Sequence, residues 1–297
     1  MMDHIRHLLV SGKIDIFLAY KSTAGHPLSY AFTRDNLDEL EDIHYGSARY
    51  PLEKIAAGLA GKNPDLKIGL IARDCTQRAL NVLTVWNQLK PESIEVVNLN
   101  CCPSSLKDHA DCSYLSPQAV GRVKKQIGID NNFPPREAES FDRQQRFDRW
   151  TYEFQKCIKC YGCRDICPVC FCSECSLEQE DLIGTGSLPP EVPIFHLVRA
   201  VHMAGRCVDC GLCEEACPAD IPLRLLYRKV NEIVTELFDY RTGVSSGQAP
   251  FQVLGRGPPE HSGPTIASRL RGGVEALEEL FVEGDLYSLH VDILSTY

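Results

Sequence analysis

The chain of 297 residues contains no run of about 18 apolar residues, so no direct membrane span is expected. It is short of bases. Lys and Arg number 31 against 40 Asp and Glu, a formal net charge of -9, and no long basic run occurs. Nucleic acid is therefore not an expected partner, because phosphate binding draws on clustered Lys and Arg. The opening "MMDHIRHLLVSGKIDIFLAYK" breaks after a few apolar residues and lacks the apolar core and small-residue cleavage site of a secretory signal. A reducing cytoplasm is the expected location. There is no Gly-x-Gly-x-x-Gly after a strand, no Walker loop and no His-Glu-x-x-His pair, and "GLAGK" and "GTGS" are too short to claim a phosphate. No catalytic residue is assigned.

What the chain does have is cysteine, 15 of them, unevenly placed. Cys75, Cys101, Cys102 and Cys112 are scattered through the first half, and the rest crowd between Cys157 and Cys217. Two units are expected. In the first, "LKIGLIAR" reads as a buried strand, "CTQRALNVLTVWNQLK" as a helix with Leu80, Leu83 and Trp86 at helical spacing, and "SIEVVNL" as a second strand. This is a βαβ unit with parallel strands, whose carboxyl ends share the sheet edge where ligands of open α/β sheets bind. Cys75, Cys101 and Cys102 should gather there. The polar stretch containing "NNFPPREAES" marks a connector. After it, "FDRQQRFDRWTYEFQK" reads as a helix with Phe147, Trp150 and Phe154 on its buried side. Beyond Cys217 a long amphipathic helix is expected to carry Leu223, Leu226, Val230, Ile233 and Leu237, its seam covering the cysteine unit or docking another subunit. The expected division is 1–118, an α/β domain; 119–146, a linker and connecting helix; 147–240, the cysteine domain with its helix; and 241–297, a linker and partner-docking tail. In that tail "GVEALEELF" suggests a short helix and "LHVDIL" a strand.

Cys157, Cys160, Cys163 and Cys167 follow Cys-x2-Cys-x2-Cys-x3-Cys-Pro, and Cys207, Cys210, Cys213 and Cys217 repeat it, ending in Pro168 and Pro218. Three thiolates on a tight loop reach three corners of an iron–sulfur cube, and the fourth cysteine ligates the other cube. The ligand sets therefore cross. Cys157, Cys160, Cys163 and Cys217 form one 4Fe-4S set, and Cys207, Cys210, Cys213 and Cys167 the other. Zinc sites pair two Cys-x2-Cys arms and need no third cysteine per arm, and such close spacings in a reducing compartment do not point to disulfides. The pattern resembles the bacterial two-cluster ferredoxin fold over about 150–225, which implies an α+β dicluster domain, with a helical extension after it. A longer segment separates the two repeats. It includes a helix carrying His196 and His202, read as packing or surface residues and not as ligands.

Cys170, Cys172 and Cys175 remain, spaced Cys-x-Cys-x2-Cys. With thiolates from Cys75, Cys101, Cys102 and Cys112 they suggest a third cluster at the junction of the two units. The competing readings are buried structural thiols, which behave as small hydrophobes, and a redox switch at the adjacent Cys101 and Cys102.

"KIGLIARDCTQRALNVLTVWNQLKPESIEVVNLNCC" resembles the amino-terminal domain of the beta subunits of deazaflavin-reducing hydrogenases and formate dehydrogenases, through Cys75, Arg78, Ala79, Leu80 and Cys101 or Cys102. Joined to the dicluster segment, the arrangement is similar to iron–sulfur subunits of heterodisulfide-reductase-like and formate-dehydrogenase-like complexes of anaerobes. That resemblance implies a non-catalytic subunit passing electrons between a catalytic subunit and an electron-accepting one. Deazaflavin-reducing members carry a larger flavin-binding portion with no clear counterpart here, so the resemblance does not carry flavin to this chain. The alternatives are a flavin-containing beta subunit that itself reduces or oxidises a deazaflavin or nicotinamide, and a structural or sensing protein whose clusters hold the fold.

Overall fold

The computed structural model describes residues 1–44, 50–99 and 142–252, apart from 173, 182, 185–187, 189–190 and 245–246. Cys101, Cys102 and Cys112, the "NNFPPREAES" connector and the helix and strand expected in the tail lie outside the described residues.

A helix, α1 (Met2–Ser11), precedes a hairpin of β1 (Ile16–Thr23) and β2 (His26–Phe32). A 3-10 segment over Arg34–Asp42 and helix α2 (Leu52–Lys62) lead to β3 (Ile68–Ala72), α3 (Asp74–Val85) and β4 (Ile94–Asn98). The sheet order is β2-β1-β3-β4. Strand β3 pairs in parallel with β1 on one side, Ile68 opposite Ile16, and with β4 on the other, Ile68 opposite Ile94. The βαβ unit read from the sequence is β3-α3-β4. All five residues of β3 are buried, as a strand flanked on both edges and packed on both faces requires. Phe17, Phe32, Leu9 and Leu70, each at 0% exposure, make the core between sheet and helices. Each such side chain contributes about 1.5–3 kcal/mol on burial.

The second half is built differently. Helix α4 (Arg143–Gln155) opens on a capping box, in which Asp142 accepts from the Gln145 amide at 2.9 Å and Gln145 accepts from the Asp142 amide at 2.9 Å. Single-turn helices α5 (Gly162–Asp165) and α7 (Leu212–Glu215) flank α6 (Ile194–Met203), and α8 (Leu223–Phe238) closes the set. The described residues after Asp142 contain helices and turns but no strand, so the β component expected of an α+β ferredoxin domain is not seen among them. Burial of Leu223, Leu226 and Tyr227 shows that α8 covers this unit. Its seam drifts from the expected line: Val234 is buried, whereas Leu237 is 68% exposed. A helix turning every 3.6 residues moves off a strict alternation of three- and four-residue steps within a few turns.

Helix α3 faces both halves. Leu80 and Leu83 pack into the sheet core, while Ala79 and Val82 join Trp150, Phe154, Val208 and Leu226 in a second core. Residues 241–244 and 247–252, in the stretch expected to begin a linker, pack against the same helix. Asn81 donates to the Gly243 carbonyl at 2.9 Å, Gln252 donates to the Val85 carbonyl at 2.7 Å, and Ala249 is fully buried. Gly243 has φ +75°, and a Cβ there would stand 2.7 Å from the Arg78 Cβ, so both its backbone angle and the closeness of α3 require glycine.

Candidate iron–sulfur site

The two cysteine repeats share one backbone path. Lys159 (φ 51°) and Asp209 (φ 54°), each just before the second cysteine, are left-handed, and so are Tyr161 (φ 58°) and Gly211 (φ 79°), each just after it. These reversals wrap each loop around a concavity before its single-turn helix, α5 or α7, begins. Left-handed backbone costs a non-glycine residue roughly 1–2 kcal/mol, and each of the three non-glycines is held by its side chain. Lys159 donates to the Gly184 carbonyl at 2.7 Å and pairs with Glu191 at 3.0 Å. Tyr161 donates to the Leu177 carbonyl at 2.8 Å and meets Phe195 edge to face. Asp209 pairs with Arg224.

Turning the chain this way aims amides at sulfur. The Lys159 amide donates to Cys157 Sγ at 3.4 Å, and the Asp209 amide makes the corresponding bond to Cys207. Val169 and Ala219, two residues past the last cysteine of each repeat, do the same for Cys167 and Cys217. Such bonds favour the thiolate and tune any cluster it holds.

Two small cavities lie between the repeats. One is lined by Cys157, Cys160, Cys163 and Cys217, with Phe195 and His196 beside them. The other is lined by Cys167, Cys207, Cys210 and Cys213, with Arg199 and Tyr227. Each thus has three cysteines of one repeat and the last cysteine of the other, the grouping that the crossed ligand sets require. Among the described residues no three Cys, His, Asp or Glu side chains close around a single metal ion. Each cavity offers four thiols as donors, three from one loop and one from the other, the donor set a four-iron cube takes. Burial opposes the thiolate at several of these cysteines: it pushes Cys163 up to about 11 and Cys207 up to about 12, and holds Cys210 and Cys213 well above the ordinary thiol value. Cationic iron would offset that cost, and loading would release thiol protons.

Cys170, Cys172 and Cys175 line a third, open cavity of about 410 Å³. Its wall carries Lys54, Arg164, Arg199 and Arg206 against Asp165, Glu174 and Glu178, with His202 beside them, its pKa lowered by burial and by the two nearby arginines. Arg206 donates to Cys172 Sγ at 3.6 Å and stacks on Trp86, with its guanidinium 3.8 Å from the ring centre. Trp86 and Phe171 stand 5.9 Å apart, bringing α3 to the cavity rim. Cys75, in the first turn of α3, does not line this cavity; it lies near enough to Cys210 for the two thiols to interact.

His196 lies in the core and His202 at the wall of the larger cavity. His196 is 1% exposed, stacked on Phe154 at 4.6 Å, and held neutral by burial and by Arg199, its pKa down to about 3. His202 lies 3.3 Å from the Ser176 hydroxyl. Sequence reasoning singled out Arg78 only as part of the resemblance, and Arg199 and Arg206 not at all. Arg78 donates twice to the Val208 carbonyl, at 3.2 and 3.1 Å, tying α3 to the second cysteine loop. Arg199 donates to Cys170 Sγ at 3.4 Å and to the Cys163 carbonyl at 3.2 Å. A signal for Arg199 was present: it shares the apolar face of α6 with Ala200 and Met203, where a charge is out of place unless compensated.

Residues 200–222, which include the second repeat, match the 4Fe-4S binding domain family. Over 104 residues the chain is 42% identical to the F420-dependent formate dehydrogenase subunit beta of Methanocaldococcus jannaschii, covering 35% of this chain and 27% of that protein. Over 109 residues it is 45% identical to the F420-dependent formate dehydrogenase 1 subunit beta of Methanococcus maripaludis, covering 37% and 28%. The matched stretch spans little more than a quarter of these curated relatives. The chain therefore carries a 4Fe-4S binding domain and, over about a third of its length, is similar to the beta subunits of F420-dependent formate dehydrogenases.

Proposed function

We propose that this chain is an electron-transfer subunit of an oxidoreductase complex, working between a catalytic subunit and an electron-accepting one. The observation that carries the reading is the pair of cavities, each lined by three thiols of one cysteine repeat and the last thiol of the other. Cys157, Cys160, Cys163 and Cys217 would hold one 4Fe-4S cluster, and Cys207, Cys210, Cys213 and Cys167 the second. In the larger cavity Cys170, Cys172 and Cys175 would supply three thiolates to a third. When bound, such clusters take up and release single electrons at potentials set by burial, charge and hydrogen bonds to sulfur. The chain's own residues provide those settings through the amides aimed at Cys157, Cys167, Cys207 and Cys217 and the arginines beside Cys170 and Cys172. Cys160 and Cys172 are exposed, which favours electron exchange with partner subunits at these two places. The names of the relatives favour a formate-oxidising catalytic partner. No helix among the described residues is long and apolar enough to cross a membrane.

The test is iron and acid-labile sulfide per chain in anaerobically purified protein, read with its visible spectrum. About eight irons are expected from two cubes and about twelve from three. Protein purified anaerobically with neither iron nor labile sulfide refutes the reading, and a flavin absorbance would turn it toward the enzyme that acts on a deazaflavin or nicotinamide.

A further inference from the structure

Arg199 stands among all three groups of cysteines. It is 2% exposed, it lines both the second cavity and the larger one, and its guanidinium bonds the Cys170 sulfur and the Cys163 carbonyl. Its Nε has no hydrogen-bond partner, and among the described residues no carboxylate pairs with it. A buried cation without a compensating anion is strongly unfavourable. The groups that act on it electrostatically in its favour are Cys167, Tyr227, Cys170 and Cys163. Three of these are cysteines, one from each group. In the folded, loaded protein its counter-charge is thiolate sulfur and the cluster which that sulfur holds, an anion that grows by one charge for every electron taken up.

We propose that Arg199 is the shared counter-ion of the three thiol sites, a positioning residue whose single buried charge raises the reduction potential of the clusters around it. This rests on the cluster-carrying function proposed above. A nearby cation stabilises the more negative, reduced form more than the oxidised form, and in a low-dielectric interior bulk salt screens that effect little. Arg206 supplies the contrast: half-buried beside the exposed Cys172, it acts through solvent and is open to screening.

The experiment is a redox titration of the anaerobically purified full chain, followed by electron paramagnetic resonance, for the parent protein and for Arg199→Gln, Arg199→Lys and Arg206→Gln, each with its iron content. Arg199→Gln is expected to shift the reduction equilibrium of at least one cluster about tenfold toward the oxidised form, about 59 mV for one electron, at low and high salt alike. Arg206→Gln should give a smaller shift that salt abolishes. Arg199→Lys, which keeps the charge, should hold the parent potentials. Should Arg199→Gln fail to load iron while Arg199→Lys loads with parent potentials, the need for a charge at this place is upheld. Parent potentials in a fully loaded Arg199→Gln overturn the proposal. So does an Arg199→Lys that shifts as glutamine does or fails to load, because geometry and not charge would then be at work. A parent protein without iron or labile sulfide is a different failure, that of the cluster-carrying reading itself.

Discussion

The two cysteine repeats have the same backbone turns in different surroundings. The first is held from outside: Lys159 reaches Gly184 and Glu191, Tyr161 reaches Leu177, and Cys160 and Ile158 face solvent. The second is set into the junction with the sheet: Val208 is 3% exposed, its carbonyl is gripped by Arg78 from α3, and Leu212 is buried. The comparison teaches that the spacing of cysteines dictates the loop, and what packs around the loop dictates how it can be used. The set with the exposed Cys160 is suited to exchange with a partner, and the set with the buried Cys167 to a fixed step inside the chain.

Replacing one ligand in each repeat should produce the largest difference. Cys160→Ser and Cys210→Ser are each expected to lose about four irons per chain, but only Cys210→Ser should also loosen α3 from the loop and lower the thermal midpoint markedly. Equal losses of midpoint would break the comparison. A smaller effect is expected from Arg78→Ala, which deletes two donors to one carbonyl and should cost about 1.5–3 kcal/mol in denaturant unfolding. Limited proteolysis would sharpen the point if new cleavage appears near Val208 and none near Ile158. The smallest effect concerns the left-handed position after the second cysteine. Gly211→Ala should cost about 1 kcal/mol, whereas Tyr161→Gly trades relieved backbone against the lost Leu177 bond and Phe195 contact. Thermal melts of the two variants side by side would show whether the repeats carry equal strain.

Much of the site could be read from the chain because metal-ligand spacing is a local property. The crossed grouping of Cys167 and Cys217 follows from it, and those two cysteines line opposite cavities. The βαβ unit was legible for a similar reason, a five-residue apolar strand followed by a helix with regular apolar spacing. The amino-terminal hairpin was not. Its turn is Thr23-Ala24-Gly25-His26, with Ala24 at φ 51° and Gly25 at φ 81°, and alanine there hides the Asn-Gly or Asp-Gly signal such turns usually carry. Strand β1 lies between two neighbours with Phe17 to Tyr20 all buried, so it shows no polar alternation either. That the described residues around the cysteines include no strand could not be read, since loops of this spacing can be anchored by helices or strands alike. Nor could Arg78, whose partner Val208 lies far along the chain, for nothing local marks a contact between the two halves.

The exchange of last cysteines between the repeats has a consequence for how the protein is made. As the chain leaves the ribosome, Cys157, Cys160 and Cys163 appear early, yet their cavity gains its fourth thiol only with Cys217. The other cavity, begun by Cys167, waits until Cys213. Both sets are therefore incomplete throughout synthesis of the long segment between the repeats, and then become complete within a few residues of each other. On the proposed ligand sets, maturation of the two sites is tied to a single late moment in the life of the chain, when α8 can also close over them.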